Sequence, residues 1–380
     1  MFALSLRDLH PSPKQAIRPA IVDSSNVVVA MLFVRYIRQL RHCVFLVICP
    51  GATSMTSFFQ IPVVDLASVR AHDPAGLRKA AVAIRQACTT IGFFYVSNHG
   101  VPQTVLDRAV AGAREFFAFP PEVKRRVAVN HRHRGFNALG DATMYQATKP
   151  DLKEFFSIGL ELPEDDPSVL AGEALRGPNN WPDFMPSLRP ALYDYYEAIG
   201  ACGADLLRAI ALSLDIDEHF FASKYTKRMQ RTQMVYYPPQ APLSDADEFG
   251  VAPHTDYGCI TLLWQDNVGG LQVKELTSNS WIDAPPIPGT LVVNVGDLLA
   301  RWSNDRFRST LHRVINRSGK ERYSIASFYD PTYAAEVEPR DLGLDGVQPL
   351  YDAVAAGDYV LGRINDSMGY RKTRAQGEQA

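Results

Sequence analysis

The C-terminal half of the chain consists of short segments that are rich in β-branched and aromatic residues. Turn residues separate them, as in Asn267-Val-Gly-Gly270 and Pro285–Gly289. Many short strands that follow a helical region predict two packed sheets in a jelly roll, or double-stranded β-helix. The predicted strands are Met229–Tyr237, Ile260–Gln265, Leu271–Leu276, Trp281–Ala284, Thr290–Val295, Ser309–Val314 and Tyr323–Tyr329.

The N-terminal half is helical in pattern. Pro74–Ile91 places apolar residues on one helical face before Gly92, Pro102 opens a second helix towards Phe117, and a third runs to about Leu214. The chain is therefore predicted to be mainly β with flanking helices around a jelly-roll core. Further predictions are strands at Gln60–Leu66 and Phe93–Val96, irregular stretches over 130–150 and Pro163–Pro190, and a helix over Asp352–Ile364.

Bulk composition excludes some classes of protein. The 380 residues are 46% hydrophobic, which is enough for a substantial core. The 39 basic and 41 acidic residues nearly balance, and no Lys/Arg-rich stripe indicates a nucleic-acid partner. An odd number of cysteines without a C-x-x-C pair predicts reduced thiols in the cytoplasm rather than a disulfide framework. The cysteines are Cys43, Cys49, Cys88, Cys202 and Cys259.

Residues 1–54 differ from the rest of the chain. Their apolar runs are shorter than a membrane span and are interrupted by Arg35, Arg38 and Arg41, each costing about 2.5–3.5 kcal/mol at a bilayer centre. A late apolar stretch without a cleavage site also disfavours a signal peptide. We interpret 1–54 as a disordered appendage or a start-site artefact, with Met55 as the working start. A basic amphipathic helix on a membrane surface is the alternative.

The motif Pro253-His-Thr-Asp256 is the sharpest local feature. On an extended segment, residues two apart project to the same side, so His254 and Asp256 can face one metal ion. His312, in a later strand-like run, supplies a second imidazole. Two histidines and one carboxylate with open positions are the ligand set of non-haem Fe(II) oxygenases. An H-x-D triplet alone is more often a surface loop or a helix cap.

A second pair of residues favours a keto-acid site. Arg322 and Ser324 lie two apart on the predicted strand after His312, so they share a face. A guanidinium binds a carboxylate through two parallel hydrogen bonds, and a hydroxyl can support the same oxygen. An ion pair within the strand is the simpler explanation for Arg322 taken alone.

Together these motifs resemble the 2-oxoglutarate/Fe(II) oxygenases of the isopenicillin N synthase type, in family order over roughly residues 60–365. The matching stretches are Ile61–Leu66, Gly92–Pro102, Asp151-Leu-Lys-Glu-Phe-Phe-Ser-Ile-Gly159, Pro253–Asp256, Asn294-Val-Gly-Asp297, Arg301-Trp-Ser-Asn304, Ser309–Val314 and Arg322-Tyr-Ser324.

The resemblance implies a role for each matching residue. His254, Asp256 and His312 would bind iron, while Arg322 and Ser324 would anchor the C5 carboxylate of 2-oxoglutarate. Tyr237 matches the family tyrosine near the co-substrate. Val235 departs from the pattern, because many plant members carry asparagine there. His99 is interpreted as structural, and His131 and His133 as solvated.

The implied activity couples decarboxylation of 2-oxoglutarate to succinate and CO2 with oxidation of a small organic substrate, with ascorbate as a possible reductant. Hydroxylation, desaturation and cyclisation remain open. The alternatives are a related oxidase without 2-oxoglutarate, an ethylene-forming relative that fragments it, and a non-catalytic metal-binding sensor. The substrate would meet loop 130–150 and Phe155 or Phe156. We expect a monomer, with an N-terminal helical/strand region at 55–180, a catalytic jelly-roll region at 181–365 and a polar tail at 366–380.

Overall fold

The computed structural model describes residues 60–143, 147–240, 248–343 and 346–367. The predictions for residues 1–54, including Cys43 and Cys49, and for most of the tail lie outside these ranges. The strands are β1 Val63–Asp65, β2 Phe93–Ser97, β3 Gly135–Asn137, β4 Glu154–Gly159, β5 Arg231–Tyr237, β6 Val251–His254, β7 Ile260–Gln265, β8 Leu271–Lys274, β9 Trp281–Asp283, β10 Thr290–Val295, β11 His312–Val314, β12 Arg322–Tyr329, β13 Glu336–Val337 and β14 Val354–Ala355. The helices are α1 Ala67–Arg70, α2 Pro74–Thr90, α3 Gln103–Ala118, α4 Pro121–Lys124, α5 Pro167–Leu170, α6 Leu188–Ser213, α7 Asp297–Trp302 and α8 Ala356–Ser367.

Two sheets form the core of the unit that begins at Gln60. The large sheet has eight strands in the order β1-β2-β10-β7-β12-β5-β4-β3, and the small sheet has four in the order β6-β11-β8-β9. Apart from the parallel pair β1–β2, the described neighbours in these sheets pair antiparallel. The predicted mainly β jelly roll with flanking helices is confirmed.

Helix α2 shows how the sequence determines a helix and its ends. Asp73 caps its N-terminus by accepting hydrogen bonds from the amides of Ala75 and Gly76, and Pro74 occupies the first turn. The chain then turns at Gly92, where φ is 71° and a Cβ would lie 2.0 Å from the Arg308 carbonyl oxygen. Only glycine fits this turn from helix to strand without strain.

Successive side chains along the strands of the large sheet belong to two different apolar clusters, one on each face of the sheet. Phe156 and Met234 face outwards and pack with Phe116 of α3 and Leu192 of α6 in one apolar cluster. Phe155, the neighbour of Phe156, belongs to the other cluster, between the sheets. Successive strand residues point to opposite faces, so this switch is the expected one.

Register defines the inner face of the large sheet. Arg322 is the Cα partner of Tyr237, and Ser324 is flanked by Val235 and Gln265 on the two neighbouring strands. Residues opposite each other in a ladder project to the same face. The side chains predicted to bind a keto acid therefore lie together on this face.

Several elements differ from the predictions. Strands β3, β4 and β6 and helix α7 carried no assignment, and β3 lies within the stretch interpreted as a loop. Strand β6 contains Pro253 and β3 has only three residues, so neither has the length or composition that marks a strand. The strands of 55–180 and of 181–365 share the large sheet.

Candidate active site

Two histidines of the predicted triad meet across the small sheet. His312 on β11 is the antiparallel Cα partner of His254 on β6, and their ring centroids are 4.2 Å apart. Nδ1 of His254 lies 2.8 Å from the carbonyl oxygen of Ala252, and Nδ1 of His312 lies 3.1 Å from that of Thr310. An N–H at each Nδ1 leaves the Nε2 lone pair free to bind a metal.

Asp256 completes the cluster from just beyond the end of β6. Its Oδ1 lies 3.7 Å from Nε2 of His254 and 3.7 Å from Nε2 of His312. One candidate ligand atom from each of the three residues lies within 4.8 Å of the others, which suits a single ion. The structure thus brings together the three residues predicted from the H-x-D motif and the distant histidine.

The second oxygen of Asp256 is held by two residues to which the sequence analysis gave no role. Oδ2 accepts hydrogen bonds from Oγ1 of Thr261 at 2.5 Å and from Nδ2 of Asn294 at 2.8 Å. These donors fix the carboxylate with Oδ1 towards the histidines. Asn294 belongs to the matching motif Asn294-Val-Gly-Asp297, so its motif was visible although its contact was not.

The same motif supports the backbone of the metal-binding segment. The amide of Asp297 donates to the carbonyl of Asp256 at 2.7 Å, and Thr255 Oγ1 donates to the Asp297 carboxylate at 3.0 Å. A Cβ at Gly296 would lie 2.2 Å from the carbonyl oxygen of Gly258. Glycine is therefore needed for this close approach of two chain segments.

The pKa values of His254 and Asp256 favour the charge states that bind a cation. Burial and the neighbouring His312 lower the pKa of His254 to about 3, so its imidazole is neutral near pH 7. Burial raises the pKa of Asp256, but the two histidines and the two hydrogen-bond donors lower it more, and it lies below the ordinary value. A neutral imidazole and an ionised carboxylate are the forms that bind metal.

Arg322 is fully buried, at 0% exposure, on the inner face of the large sheet. Its Nε donates to the carbonyl of Gly269 at 2.6 Å and its Nη2 to Oε1 of Gln265 at 3.1 Å. Within the described ranges no carboxylate pairs with this guanidinium, and Nη1 has no hydrogen-bond partner. A buried, unpaired cation is costly, so the arrangement fits an anionic ligand such as the distal carboxylate of 2-oxoglutarate.

The other two residues predicted to bind the co-substrate lie beside Arg322. The guanidinium carbon of Arg322 is 4.6 Å from the centroid of the Tyr237 ring. Tyr237 is 4% exposed and Ser324 is 2% exposed. Val235, the Cα partner of Ser324, places an apolar side chain on this face.

A cavity of about 60 Å³ lies over the metal-binding residues and also contacts the described C-terminal helix. Of the two residues predicted to meet a substrate, Phe155 lines this cavity and Phe156 is not among its lining residues. The interpretation of His133 as solvated was wrong, because it is 1% exposed and lines the cavity. A positive φ of 60° turns the chain at His133 inside an irregular segment, which no periodicity reveals. His131 is exposed, as predicted.

Other predictions concern the surroundings of the site. His99 lies outside the metal cluster, where its Nδ1 accepts a hydrogen bond from the Val101 amide at 3.2 Å, as suits a structural residue. Arg363 of α8 pairs with Asp297 at 3.0 Å and lies 4.9 Å from the centroid of the Tyr257 ring. None of the described helices combines the length and the apolar composition needed to cross a membrane.

Comparison with known proteins agrees with this geometry. Residues 61–184 match the family model of the non-haem dioxygenase N-terminal region named for morphine synthesis, and residues 228–331 match that of the 2OG-Fe(II) oxygenase superfamily. A 2-oxoglutarate-Fe(II) type oxidoreductase, hxnY of Emericella nidulans, is 37% identical over 333 residues, covering 84% of this chain and 95% of that protein.

Solved structures give the same result. A full-length Neurospora crassa protein in complex with alpha-KG and thymine superposes with a TM-score of 0.70 at 31% identity, covering 80% of this chain and 96% of that one. JOX2 in complex with 2OG, Fe and JA superposes with a TM-score of 0.67 at 30% identity, covering 80% and 84%.

A jelly roll with a His/Asp/His cluster between its sheets defines a non-haem metal oxygenase. The chain belongs to the 2OG-Fe(II) oxygenase superfamily. It is an oxidoreductase that uses Fe(II) and 2-oxoglutarate to oxidise a small substrate.

Proposed function

We propose that His254, Asp256 and His312 hold the Fe(II) of this enzyme and that Arg322, with Ser324 and Tyr237, holds 2-oxoglutarate. Three candidate ligand atoms within 4.8 Å of one another support the first assignment. The buried guanidinium without a carboxylate partner supports the second, and it is the observation that carries the proposal. The chemistry that these residues would hold in place is the activation of O2 for oxidation of a C–H bond, with decarboxylation of 2-oxoglutarate to succinate and CO2.

The chain itself orients these groups and limits access of water. Thr261 and Asn294 hold the Asp256 carboxylate, while backbone carbonyls hold the two imidazoles. Phe155 and Phe328 give the cavity apolar walls, and Ile364 of α8 closes another side. These apolar side chains limit the access of bulk water to the reacting centre.

The substrate of this enzyme is a small organic molecule. The Neurospora crassa relative is seen with thymine, a planar polar molecule, and the cavity of this chain has both polar and aromatic walls. Hydroxylation, desaturation and cyclisation share the same metal site, so the reaction type depends on the substrate. We further propose that the enzyme acts as a monomer in the cytoplasm.

The test is succinate formation and O2 uptake by the purified enzyme across a panel of small amines, acids, phenolics and pyrimidines, with Fe(II) and ascorbate present. We expect turnover that requires 2-oxoglutarate and yields one succinate per O2 consumed. Substrate oxidation without 2-oxoglutarate would instead identify the related oxidase. Ethylene in the gas phase would identify an enzyme that fragments 2-oxoglutarate, and metal binding without O2 uptake would identify a sensor.

A further inference from the structure

Lys153 places a cationic side chain at the cavity over the metal-binding residues. It precedes β4, it lines the cavity together with His254, Asp256 and Tyr257, and its side chain is only 10% exposed. Buried lysines are uncommon because removing an ammonium from water is costly, so its presence at this position needs a reason.

The side chain of Lys153 is protonated, and its ion pair with Asp151 does not require all three of its N–H donors. Burial lowers the pKa of Lys153, but the Asp151 carboxylate together with Tyr237 and Tyr257 raises it, and the net pKa lies above the ordinary value. Nζ lies 3.0 Å from Oδ2 of Asp151, whose side chain is 0% exposed. An ammonium carries three N–H donors. Within the described part of the chain, Asp151 is its one acidic partner.

Nearby groups place this ammonium close to both halves of the site. Tyr237 and Tyr257 contribute to the raised pKa of Lys153, and His254 lines the same cavity as Lys153. Tyr237 is the residue that stacks on Arg322. Lys153 is thus near one histidine of the triad and near the tyrosine at the co-substrate position.

The balance of charges in the site indicates which carboxylate the remaining N–H donors of Lys153 bind. The positive charge of Arg322 offsets the C5 carboxylate of 2-oxoglutarate. Fe(II) bound to the single carboxylate of Asp256 has a net charge of +1, which offsets the C1 carboxylate. A second acid from the substrate would add a negative charge with no counter-ion, since Asp151 already balances Lys153. The carboxylate nearer the metal also needs hydrogen-bond donors, and Val235 offers none.

We infer that Lys153 is a second carboxylate-binding residue of this enzyme and holds the C1 carboxylate of 2-oxoglutarate, the one nearer the metal, as Arg322 holds the C5 carboxylate. The inference rests on the proposed function. Lys153 supplies from the start of β4 the donor that Val235 lacks on β5. Asp151, whose Oδ1 accepts a hydrogen bond from the Ala252 amide at 3.0 Å, ties this lysine to the strand that carries His254.

The experiment compares variants of Lys153 with two ligands that differ only in whether they carry the C1 carboxylate. The Kd of 2-oxoglutarate and that of levulinate, which has a methyl group in place of the C1 carboxylate, are measured anaerobically by calorimetry on the Fe(II)-loaded full chain. The proteins are the wild type, Lys153→Gln, Lys153→Arg and the control Lys149→Gln. Lys149, with a side chain 40% exposed, lies in the same segment and faces Glu248 at 4.0 Å.

We expect Lys153→Gln to keep its iron and to weaken 2-oxoglutarate by about 10- to 100-fold, the range for loss of a charge-assisted hydrogen bond. Levulinate should bind the variant and the wild type alike, Lys153→Arg should recover part of the loss, and Lys149→Gln should match the wild type. Equal weakening of both ligands, or of neither, would overturn the inference.

Two further outcomes are distinguishable. If only an acidic substrate lost affinity relative to its amide in Lys153→Gln, the lysine would serve the substrate and the inference would be wrong. If the wild type itself bound neither Fe(II) nor 2-oxoglutarate, the proposed function would fail, and the inference with it. Iron content and melting temperature of each variant separate a local loss of binding from a failure to fold.

Discussion

His254 and His312 lie opposite each other on β6 and β11 as direct antiparallel partners, with ring centroids 4.2 Å apart. The pairing of two strands therefore sets the distance between the imidazoles. A loss of one imidazole leaves that backbone pairing in place, so metal binding and folding can be separated by substitution.

We expect His254→Ala or His312→Ala to lose most bound Fe(II) and to keep the fold, because each is proposed to supply one of three protein ligands. Iron per chain, by elemental analysis, and the melting temperature are the measurements. His219→Ala, at a side chain 69% exposed, is the control and should match the wild type. Full iron content in either triad variant would contradict the assignment.

Arg322→Leu should keep iron but weaken 2-oxoglutarate by about 2–5 kcal/mol, about 30- to several-thousand-fold, because one partner of a desolvated charge pair is lost. Arg322→Lys should recover only part of this, since an ammonium cannot make the two-pronged contact. Anaerobic titration of the Fe(II)–2-oxoglutarate charge-transfer band measures the affinity. Equal Kd values in all three proteins would show that another residue anchors the co-substrate.

Thr261→Val and Asn294→Ala should each weaken Fe(II) binding by about 10- to 100-fold without abolishing it, because the Asp256 carboxylate loses a donor that orients it. Thr290→Val is the matched control, since that hydroxyl donates to the Ile287 carbonyl and makes none of the hydrogen bonds described for Asp256. The readout is anaerobic titration with Fe(II), or with Co(II) as a spectroscopic substitute. Wild-type affinity in both variants would mean that Asp256 needs no such orientation.

Cys88, Cys202 and Cys259 should resist alkylation in the native protein at pH 8. All three are buried free thiols, and burial raises the pKa of each, that of Cys202 to about 12. The thiolate is the reactive form, so little of it is present. Peptide mapping after a pulse of iodoacetamide should find them modified only when urea is added. Modification without urea would show that the core opens readily.

A chain that starts at Met55 should bind iron and melt as the full chain does. The compact unit begins at Gln60, and its first strand starts at Val63. Residues 1–54 match no predicted core element, so their removal should cost little. Insolubility of the shorter chain, or a clearly lower melting temperature, would show that the segment is structural.

The sequence predicts the triad because each of its residues lies in a short segment whose pattern can be interpreted without knowledge of the tertiary structure. His254 and Asp256 are two apart, and His312 lies in a recognisable strand-like run. Arg322 and Ser324 follow the same rule of alternation on β12. Each of these predictions needs only the periodicity of a short segment and the chemistry of the side chains.

Other contacts of the site depend on register between distant segments. Asn294 reaches Asp256 because β10 pairs with β7, where Thr261 is its Cα partner. His133 enters the cavity from a segment without periodicity, and β6 is too short to be marked by its composition. Such contacts are properties of the assembled sheets, so no single stretch of sequence indicates them.

The division of ligands between the sheets has a consequence for the lifetime of the protein. His254 and His312 belong to the small sheet and Arg322 to the large one. A keto acid that chelates the metal and also pairs with Arg322 therefore cross-links the two halves of the core. At a free concentration of 100 times its Kd, a ligand that binds only the folded state adds about 2.7 kcal/mol to the free energy of unfolding. If the proposed ligands are correct, the sheets lose that cross-link when iron or 2-oxoglutarate is scarce, and we expect the chain to become more accessible to proteases.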